Sequence, residues 1–583
     1  MADRYDWAIE DIYADESGFD ADVKAAESLI GFSEFKGKLG NKADFYACMK
    51  KQEKVGRIIE KLSVYAMMLF DTDTSSSRYD ALNKRAESLA VKLGEESAFI
   101  TPELIALPDS VIKGYIEDKD LTEYDYFLKG LLKEKAHVLS ETEEKLLALS
   151  SETLSSFRDI FTKIDNADLP LKSFKHGGKT YNLSHGLYGV IMRDKDRALR
   201  RKCFKTYYSA YGSLLNTISA TYSASVKKDV FLAKARNYSS ALTRALDGED
   251  VSAAVYNNLI KAVNAALPSM HRYMSVKKKE LNLNKMHMYD VYVPTTDDAE
   301  IELEYDDAYN LVIKALSCLG EEYKGLLKKA HDERWLSVKE TKNKRSGAYS
   351  VAVYDTHPYV LLNYQKTTHD VFTIAHEMGH SIHSYFSNKT QPYMKADYKI
   401  FVAEVASTVN ETLLLKYLLK EAKDVKLKKY LLSYFLEMIR TTLFRQTQFA
   451  EFEEIVHTAA EKGIPLTKDF MCDEYLKLNK KYYGRSVISD DEIKTEWARI
   501  PHFYRAFYVY KYATGIISAL AISDRILKEG KPAVDDYFKF LSSGGADSPV
   551  ELLKIAGVNL EKKDAFVSAM SVFKNAIDEF SKL

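Results

Sequence analysis

The sequence has 583 residues, of which 46% are hydrophobic and 29% are charged. This balance provides enough apolar side chains for a large core and excludes an intrinsically disordered chain. The 83 basic and 84 acidic residues leave a formal net charge of −1, and the two signs are interleaved along the chain. Because no basic stripe stands out, we expect no nucleic acid among the partners.

The sequence also bears on the cellular compartment. The longest uncharged run, residues 206–226, is rich in serine, threonine and tyrosine, so it does not predict a membrane span. The first residues are polar and lack the apolar stretch of a signal peptide. The four cysteines lie far apart and form no C-x-x-C pair: Cys48, Cys203, Cys318 and Cys472. We therefore predict reduced thiols, a cytoplasmic location and no membrane partner.

Most of the chain carries the spacing of amphipathic helices. Strong helix formers follow a 3.6-residue period in several segments, namely residues 78–98, 140–165, 250–283, 303–330, 401–422, 427–460 and 511–529. A change of composition near residues 190–200 marks a candidate boundary. We therefore predict a mainly α protein with a mostly helical N-terminal region, residues 1–195, and a second region, residues 196–583, that carries the motifs below.

Short strands are predicted at two places. Residues 174–181 have the composition of a turn that joins two strands. Further along, β-branched and aromatic runs at residues 347–354 and 359–364 flank a turn-like cluster at residues 355–358. A free edge of this second pair could add an extended peptide as another strand, although a purely structural hairpin is the alternative. We expect the nearby His357 and His369 to be structural.

Residues 376–380 read His-Glu-Met-Gly-His within an apolar segment that is expected to be helical. The two histidines are four residues apart, so on a helix both imidazoles project from one face and can hold a single Zn²⁺. Glu377 lies about 100° round the helix from His376, close enough to act on a metal-bound water without being a ligand. This pattern predicts metal-assisted hydrolysis, most often of peptide bonds.

Two alternatives apply to this motif. It could be a core helix whose histidines merely bond to their neighbours. It does not extend to the longer H-E-x-x-H-x-x-G-x-x-H pattern, because His383 and Phe386 occupy the positions of the required glycine and histidine. His383 lies on the same helix face as His376, and we expect it to be a satisfied interior histidine rather than a neighbour of the metal ligands.

A third ligand must come from elsewhere in the chain. Glu404 and Glu411 are seven residues apart, so they share one face of an otherwise apolar helical segment, where carboxylates need a cation or donors. Glu404 would complete a His₂Glu site, and Glu411 could orient a ligand histidine through its second ring nitrogen. Spacing alone leaves open which glutamate binds the metal, and an ordinary solvated acid is the alternative for Glu411.

These motifs together resemble the thimet oligopeptidase superfamily, and within it the oligoendopeptidase F branch. The likeness extends to other segments, namely residues 7–13, 236–241, 288–292, 346–350 and 501–515. It implies that His376, His380 and Glu404 hold one Zn²⁺ per chain and that Glu377 is the general base. It also implies a large helical two-lobed metallopeptidase with a deep substrate channel and a small β-sheet next to the H-E-x-x-H helix.

The same resemblance includes residues 502–512, which contain one histidine and four tyrosines. Hydrogen-bond donors stabilise the negative charge that develops on a carbonyl oxygen during attack. By family likeness, His502 and one or two tyrosines bind the scissile carbonyl, with Tyr510 preferred, then Tyr508, then Tyr504. The glycines between these residues in thimet-type relatives are absent here. An aromatic-rich core helix is the alternative.

The motifs and the resemblance predict a zinc-dependent oligoendopeptidase. It would hydrolyse internal bonds of short peptides by attack of a zinc-bound water, with Glu377 as the general base. An enclosed site would admit flexible short peptides and exclude folded proteins. A zinc exopeptidase of the aminopeptidase or carboxypeptidase type and a non-catalytic peptide-binding protein are the other functions considered. The sequence makes no prediction of oligomeric state.

Overall fold

The computed structural model describes residues 3–296 and 301–583. About 72% of the chain is helical and 3% is in strands, so the predicted mainly α fold is confirmed. The α-helices of these described residues begin with α1 (Glu16–Leu29), α2 (Lys42–Thr72), α3 (Ser77–Ser97), α4 (Ile100–Ala106), α5 (Asp109–Glu117), α6 (Asp125–Glu134), α7 (Glu141–Lys163), α8 (His185–Ile191), α9 (Arg197–Ala235), α10 (Ala241–Asp247) and α11 (Ala253–Glu280). They continue with α12 (Tyr305–Ala315), α13 (Glu321–Asp332), α14 (Thr368–Thr390), α15 (Tyr393–Ala396), α16 (Ile400–Glu421), α17 (Val425–Ile439), α18 (Arg445–Glu461), α19 (Lys468–Tyr483), α20 (Tyr510–Glu529), α21 (Lys531–Leu541), α22 (Pro549–Ile555) and α23 (Asp564–Phe580).

One predicted helical segment, residues 303–330, is two helices. A short 3₁₀ turn, Leu316–Leu319, follows α12, and Gly320 then adopts a φ of +91°, which breaks the helical path before α13. Such a positive φ is open to glycine at little cost and strained for other residues. By contrast, the predicted segment 427–460 stays helical throughout, because the π-helical turn Arg440–Phe444 connects α17 to α18 without a break.

The strands are few and short. The first predicted pair is confirmed as the antiparallel hairpin β1 (Phe174–His176) and β2 (Lys179–Tyr181). The remaining strands are β3 (Met286–His287), β4 (Leu336–Ser337), β5 (Tyr349–Val351), β6 (Tyr359–Leu361) and β7 (Val487–Ile488). The second predicted pair is confirmed as β5 and β6, which are antiparallel, with Tyr349 opposite Leu361. Sequence periodicity did not predict β4, which pairs with β6 in parallel, nor the parallel pair β3 and β7.

The described chain packs as two compact units, neither of which is one continuous stretch. The first consists of Met1–Ala136, Glu300–Leu418 and Ile522–Val558, and the second of His137–Ala299, Leu419–Ala521 and Asn559–Leu583. Residues 195 and 196 both belong to the second unit, and the division of the chain between them stays a prediction, as does the substrate channel. None of the helices formed by the described residues is both long and apolar enough to cross a membrane.

Helix α14 of the first unit carries the H-E-x-x-H motif. It begins with a capping box, in which the Thr367 hydroxyl accepts the Asp370 N–H and the Asp370 carboxylate accepts the Thr367 N–H. This arrangement satisfies two donors that the first turn would otherwise leave unpaired. The apolar residues that predicted this helix are fully buried, and the helix packs against β5 and β6: Val371, Phe372, Ile374, Ala375, Met378 and Ile382. The predicted small sheet next to this helix is therefore confirmed.

Candidate metal centre

The two histidines of the motif face each other on α14. The Nε2 atoms of His376 and His380 are 3.2 Å apart, which places both ring nitrogens on one side of the helix, one turn from each other. Both side chains are largely buried, with 25% and 19% of their surface exposed. Two imidazole nitrogens at this separation need either a shared proton or a shared cation between them.

Helix α16 brings a carboxylate to the same place because it touches α14 backbone to backbone. At the contact, a Cβ atom on Gly379 would lie 2.5 Å from the Cα of Ser407 and 2.8 Å from the oxygen of Ala406. Only glycine leaves room for this approach. The sequence interpretation gave Gly379 no role, although a glycine inside a strongly helical pattern is a signal of close packing or function.

A buried side chain also ties the two helices together. Asn410 of α16 is fully buried, and its Nδ2 donates to the carbonyl oxygen of Ala375 in α14 at 3.0 Å. Its Oδ1 accepts the hydroxyl of Tyr323 from α13 at 2.8 Å. Because leaving a buried amide unpaired is costly, these bonds fix the register of α16 on α14. Sequence reasoning also missed Asn410.

The third member of the cluster is Glu404. Its Oε2 lies 3.4 Å from Nε2 of His376 and 3.7 Å from Nε2 of His380. Bonds of the length found between zinc and nitrogen, arranged tetrahedrally, would separate their ligand atoms by about 3.3 Å. The residues present therefore fit one metal ion, and within the described chain these three residues form a group that could hold it.

The charges around this group favour a cation. Burial lowers the pKa of His376, but its hydrogen bonds to the carboxylates of Glu404 and Glu411 outweigh burial and raise that pKa to about 10. Burial and the neighbouring His376 lower the pKa of His380, and the hydrogen bond to His376 holds the pKa of Glu404 below its usual value. His376 therefore holds a proton between the two carboxylates, and a metal ion at this place would replace that proton, because neutral imidazole and ionised carboxylate are the forms that bind metals.

Glu411 contacts the far side of His376. Its Oε1 lies 3.0 Å from Nδ1 of the ring, so the Nδ1–H donates to the carboxylate and Nε2 is the nitrogen that faces Glu404 and His380. A carboxylate in this position fixes the tautomer and the orientation of a metal-binding histidine. The structure therefore places Glu404 next to the Nε2 atoms of both histidines, and Glu411 on the opposite side of the His376 ring. Spacing alone had left open which of the two glutamates lies next to the histidine nitrogens.

Glu377 lies beside the group and borders a cavity. Only 7% of the residue is exposed. Burial and the negative charges of Glu404 and Glu411 raise the pKa of its carboxyl group to about 7, although the charge of His376 acts in the opposite direction. A cavity of about 450 Å³ is lined by His376, Glu377 and Glu411, and by Gly347 and Ala348 just before β5. A small molecule or a peptide segment in this cavity would contact Glu377 and His376 directly.

His383 is an interior residue, as predicted, but it is not fully satisfied. Only 1% of it is exposed, and its ring stacks on Tyr398 with centroids 3.8 Å apart. Burial lowers its pKa to about 3, so the ring is neutral. Its Nδ1 has no hydrogen-bond partner among the described residues.

The aromatic residues predicted to contact substrate belong to the second unit and divide into two groups. His502 is exposed and Tyr508 is half-buried, and their rings stack with centroids 6.0 Å apart. Tyr510 is fully buried and packs edge-on against Tyr256, while the ring of Tyr504 is 7% exposed and stacks on a phenylalanine. Residues 502–509 precede α20, so an aromatic-rich core helix does not describe them. The structure brings His502 and Tyr508 together and places Tyr510 and Tyr504 in the interior.

A tight contact between helices makes Gly379→Ala a direct test of how the cluster is assembled. The added methyl group would overlap the backbone of α16, so we expect a loss of about 1–3 kcal/mol of unfolding free energy and weaker metal binding. Urea denaturation and metal titration measure both effects. The matched control is Gly325→Ala in α13, where a Cβ would meet nothing within 4 Å and stability should stay equal or rise slightly. Equal behaviour of the two variants would contradict the role of the helix contact.

Comparison with known proteins agrees with this geometry. The sequence model of "Peptidase family M3" matches residues 190–572, and that of "Oligopeptidase F" matches residues 103–170. The chain belongs to peptidase family M3. Oligopeptidase PepF of Bacillus subtilis (strain 168) is 42% identical over 581 residues, which cover 99% of this chain and 87% of that protein.

Two solved structures have the same fold. The crystal structure of oligoendopeptidase-F from Enterococcus faecium is 35% identical, with a TM-score of 0.73 over 97% of this chain and 99% of that one. A crystal structure of a Chlamydophila abortus protein is 36% identical, with a TM-score of 0.95 over 100% and 98% of the two chains. The M3 chain described here is therefore a peptide-hydrolysing metallopeptidase of the oligopeptidase type, and the alternative of a non-catalytic peptide-binding protein is wrong.

Proposed function

We propose that this M3 peptidase is a zinc-dependent oligoendopeptidase that cleaves internal bonds of short peptides. In this proposal His376, His380 and Glu404 hold one Zn²⁺ per chain, and Glu377 is the general base. The observation that carries it is the convergence of two imidazole nitrogens and one carboxylate oxygen within 3.2–3.7 Å of one another, with Glu377 at the edge of an open cavity.

The donor set supports zinc as the metal. Two nitrogens and one oxygen leave a fourth tetrahedral position free for a substrate or a water molecule, as in catalytic zinc sites of the His₂Glu type. When bound, Zn²⁺ supplies a Lewis acid that polarises the peptide carbonyl and lowers the pKa of water. Glu411 holds the His376 ring in the tautomer that this binding requires.

Glu377 would handle the proton. Its carboxylate takes a proton from the attacking water, and the oxygen of that water forms the new bond to the carbonyl carbon. Glu377 then passes the proton to the amide nitrogen as the peptide bond breaks. Burial supports this role, since a carboxylate with little water around it is a stronger proton acceptor than a fully solvated one.

The substrate's main chain would lie along β5. This strand is at one edge of the three-stranded sheet whose order is β4, β6, β5, and Gly347 and Ala348 just before it line the cavity next to Glu377. A peptide added to this edge as a further strand would be read through its backbone, with little dependence on its side chains. Ser350 in the middle of β5 bonds through its hydroxyl to Ser381 of α14, which fixes the strand to the helix that carries the motif.

We further propose that His502 and Tyr508 donate hydrogen bonds to the carbonyl oxygen of the scissile bond. Both are accessible and adjacent, whereas burial of Tyr510 removes its hydroxyl from contact with a substrate in this conformation. The order of preference among the tyrosines therefore changes in favour of Tyr508.

A pair of phenylalanine substitutions separates the two tyrosines. Tyr508→Phe should lower kcat by about 10²–10³-fold, the usual effect of losing one donor to a developing oxyanion. Tyr510→Phe is the matched control and should change kcat little, because its hydroxyl is fully buried. Steady-state kinetics on one fluorogenic peptide would measure both values. A large loss in Tyr510→Phe with a small one in Tyr508→Phe would reverse the assignment.

Blocked peptides test the proposed activity itself. A peptide acetylated at its N-terminus and amidated at its C-terminus should be cut at an internal bond, which a strict aminopeptidase or carboxypeptidase cannot do. A folded protein of known sequence, incubated in parallel, should remain intact because it cannot present an extended segment. Release of single residues from free ends, with no cleavage of the blocked peptide, would favour the exopeptidase alternative.

A role in peptide turnover in the cytoplasm follows from the same proposal. The four cysteines are free, and three of them, Cys48, Cys203 and Cys472, are buried. Free buried thiols are typical of proteins in a reducing compartment.

A further inference from the structure

Arginines gather around His502 in the second unit, and the inner two share one carboxylate. Arg445 donates to Oε1 of Glu496 at 2.7 Å, and Arg499 donates to the same oxygen at 3.3 Å. Glu496 is 5% exposed and also accepts the hydroxyl of Tyr475 at 2.6 Å. Two guanidinium groups therefore face one carboxylate, and this inner pair retains an excess of one positive charge.

Two further arginines, Arg158 and Arg505, are exposed, and their charges also act on His502. Arg158 lies on α7 one turn before Phe161, whose ring stacks on Tyr504 with centroids 4.5 Å apart, so this face of α7 packs on the 3₁₀ turn Pro501–Tyr504. The guanidinium of Arg505 sits 4.2 Å from the centre of the Tyr508 ring. In the part of the chain that the structure describes, neither of these two side chains makes an ion pair or a hydrogen bond, so their N–H groups are available.

His502 lies among these charges. Partial burial, followed by the charges of Arg445, Arg158 and Arg505, lowers its pKa, which is the effect expected of positive charges gathered around the ring. The negative charge that affects the adjacent Tyr504 is that of Asp165, and this carboxylate already accepts a hydrogen bond from the hydroxyl of Tyr211 at 2.6 Å. The arginine cluster, defined here as Arg158, Arg445, Arg499 and Arg505, is therefore a positive patch next to accessible aromatic rings.

We propose that the arginine cluster binds a carboxylate group of the peptide substrate, with Arg158 and Arg505 making the direct contacts. A guanidinium presents paired N–H donors that match the two oxygens of a carboxylate, which is why arginine serves wherever such groups are recognised. Arg445 and Arg499 are held in place by their hydrogen bonds to Glu496, and they add to the positive potential at the cluster without contacting the carboxylate. This inference rests on the proposed function, because it assigns the cluster to the peptide that the enzyme cleaves.

A carboxylate can come from the end of the peptide or from an acidic side chain. The two sources differ in what they require of the substrate, since a terminal carboxylate needs a free C-terminus and a side-chain carboxylate needs a glutamate or an aspartate.

Three matched peptides test the proposal. One has a free C-terminus, the second is its C-terminal amide, and the third is the amide in which the one internal glutamate is replaced by glutamine. For the unmodified enzyme we expect kcat/KM to be about 10-fold higher for the free acid than for the amide. Arg158→Gln and Arg505→Gln should each reduce the value for the acid by about 3- to 10-fold through KM, and leave the amide unchanged.

The matched control is Arg193→Gln, which removes an exposed arginine of the second unit that is not among the charges acting on His502. It should leave all three values unchanged. A preference that follows the internal glutamate, and disappears in the two arginine variants, would support the cluster and assign the carboxylate to the side chain. Equal values for all three peptides in the unmodified enzyme would overturn the proposal. Losses of equal size on all three peptides would also overturn it, because they would indicate a purely structural role for these arginines.

A binding measurement separates this proposal from the proposed function. The same peptides, labelled at the N-terminus, are titrated against Glu377→Gln and its double variants with Arg158→Gln or Arg505→Gln, and followed by fluorescence anisotropy. Preference for the carboxylate that depends on the arginines would support the cluster even if the unmodified protein cut no peptide, a result that would contradict only the peptidase assignment. Cleavage by the unmodified protein without any such preference would contradict only the cluster.

Discussion

Glu377→Gln is expected to lower kcat by about 10²–10⁴-fold, the range for loss of a general acid–base group. The amide of glutamine has nearly the same volume as the carboxylate, so it fills the same buried space next to His376. It cannot accept a proton from the attacking water. Because Glu377 is not one of the three residues that could hold the metal, the variant should keep its metal content. Steady-state kinetics on a blocked peptide, with metal analysis of the same sample, measure both quantities.

The control for this substitution is Glu421→Gln, at the exposed end of α16. It makes the same chemical change away from the metal group and should leave kcat and metal content unaltered. Unchanged turnover in Glu377→Gln would show that another group takes the proton. Loss of metal together with activity would instead assign Glu377 a part in metal binding.

His380→Ala is expected to abolish stoichiometric metal binding. The substitution removes one of the two nitrogens that lie 3.2 Å apart and leaves only His376 and Glu404. Because loss of a hydrogen-bond partner behind a ligand already weakens metal binding by about 10–100-fold, loss of a ligand should exceed the upper end of that range. Activity should fall with the metal. Competition titration against a chelator of known affinity measures the change.

The matched control is His369→Ala, which removes an exposed histidine from the first turn of the same helix. Its metal affinity should equal that of the unmodified protein, and circular dichroism should show the same helical content for both variants. Normal metal affinity in His380→Ala would exclude His380 as a ligand. Equal losses in the two variants would point to damage to α14 as a whole.

The sequence was sufficient for the parts of the site that lie on one helix. The spacing of His376 and His380, and the apolar residues around them, determine which face of α14 they occupy, because helical periodicity is a local property. The same reasoning placed Glu404 and Glu411 on one face of α16. Their different positions, one beside both histidines and one behind His376, depend on how α16 packs on α14 and so required the structure.

Packing also explains what sequence reasoning missed. Gly379 and Asn410 matter because of atoms contributed by another helix, the backbone of Ser407 in one case and the carbonyl of Ala375 in the other. Such contacts leave no periodic trace in the chain. Likewise, Gly320 with its positive φ divides one predicted helix into two, a conformation that helical periodicity does not report.

The tyrosines of residues 502–512 show the limit of motif reasoning. Which phenol is accessible depends on where α20 begins, and it begins at Tyr510, which turns that side chain into the interior. Just before it, Phe507 has a φ of +54°, and its N–H donates to the buried carboxyl group of Glu453 at 2.9 Å. This contact with a residue 54 positions earlier sets the path of the chain into Tyr508, and local sequence does not encode it.

Metal analysis of freshly purified protein, paired with chelation, tests the central claim most directly. We expect one zinc ion per chain, loss of peptide hydrolysis when a chelator removes it, and full recovery on addition of one equivalent of Zn²⁺. Protein that contains no divalent metal and still hydrolyses a blocked peptide at full rate would contradict the account.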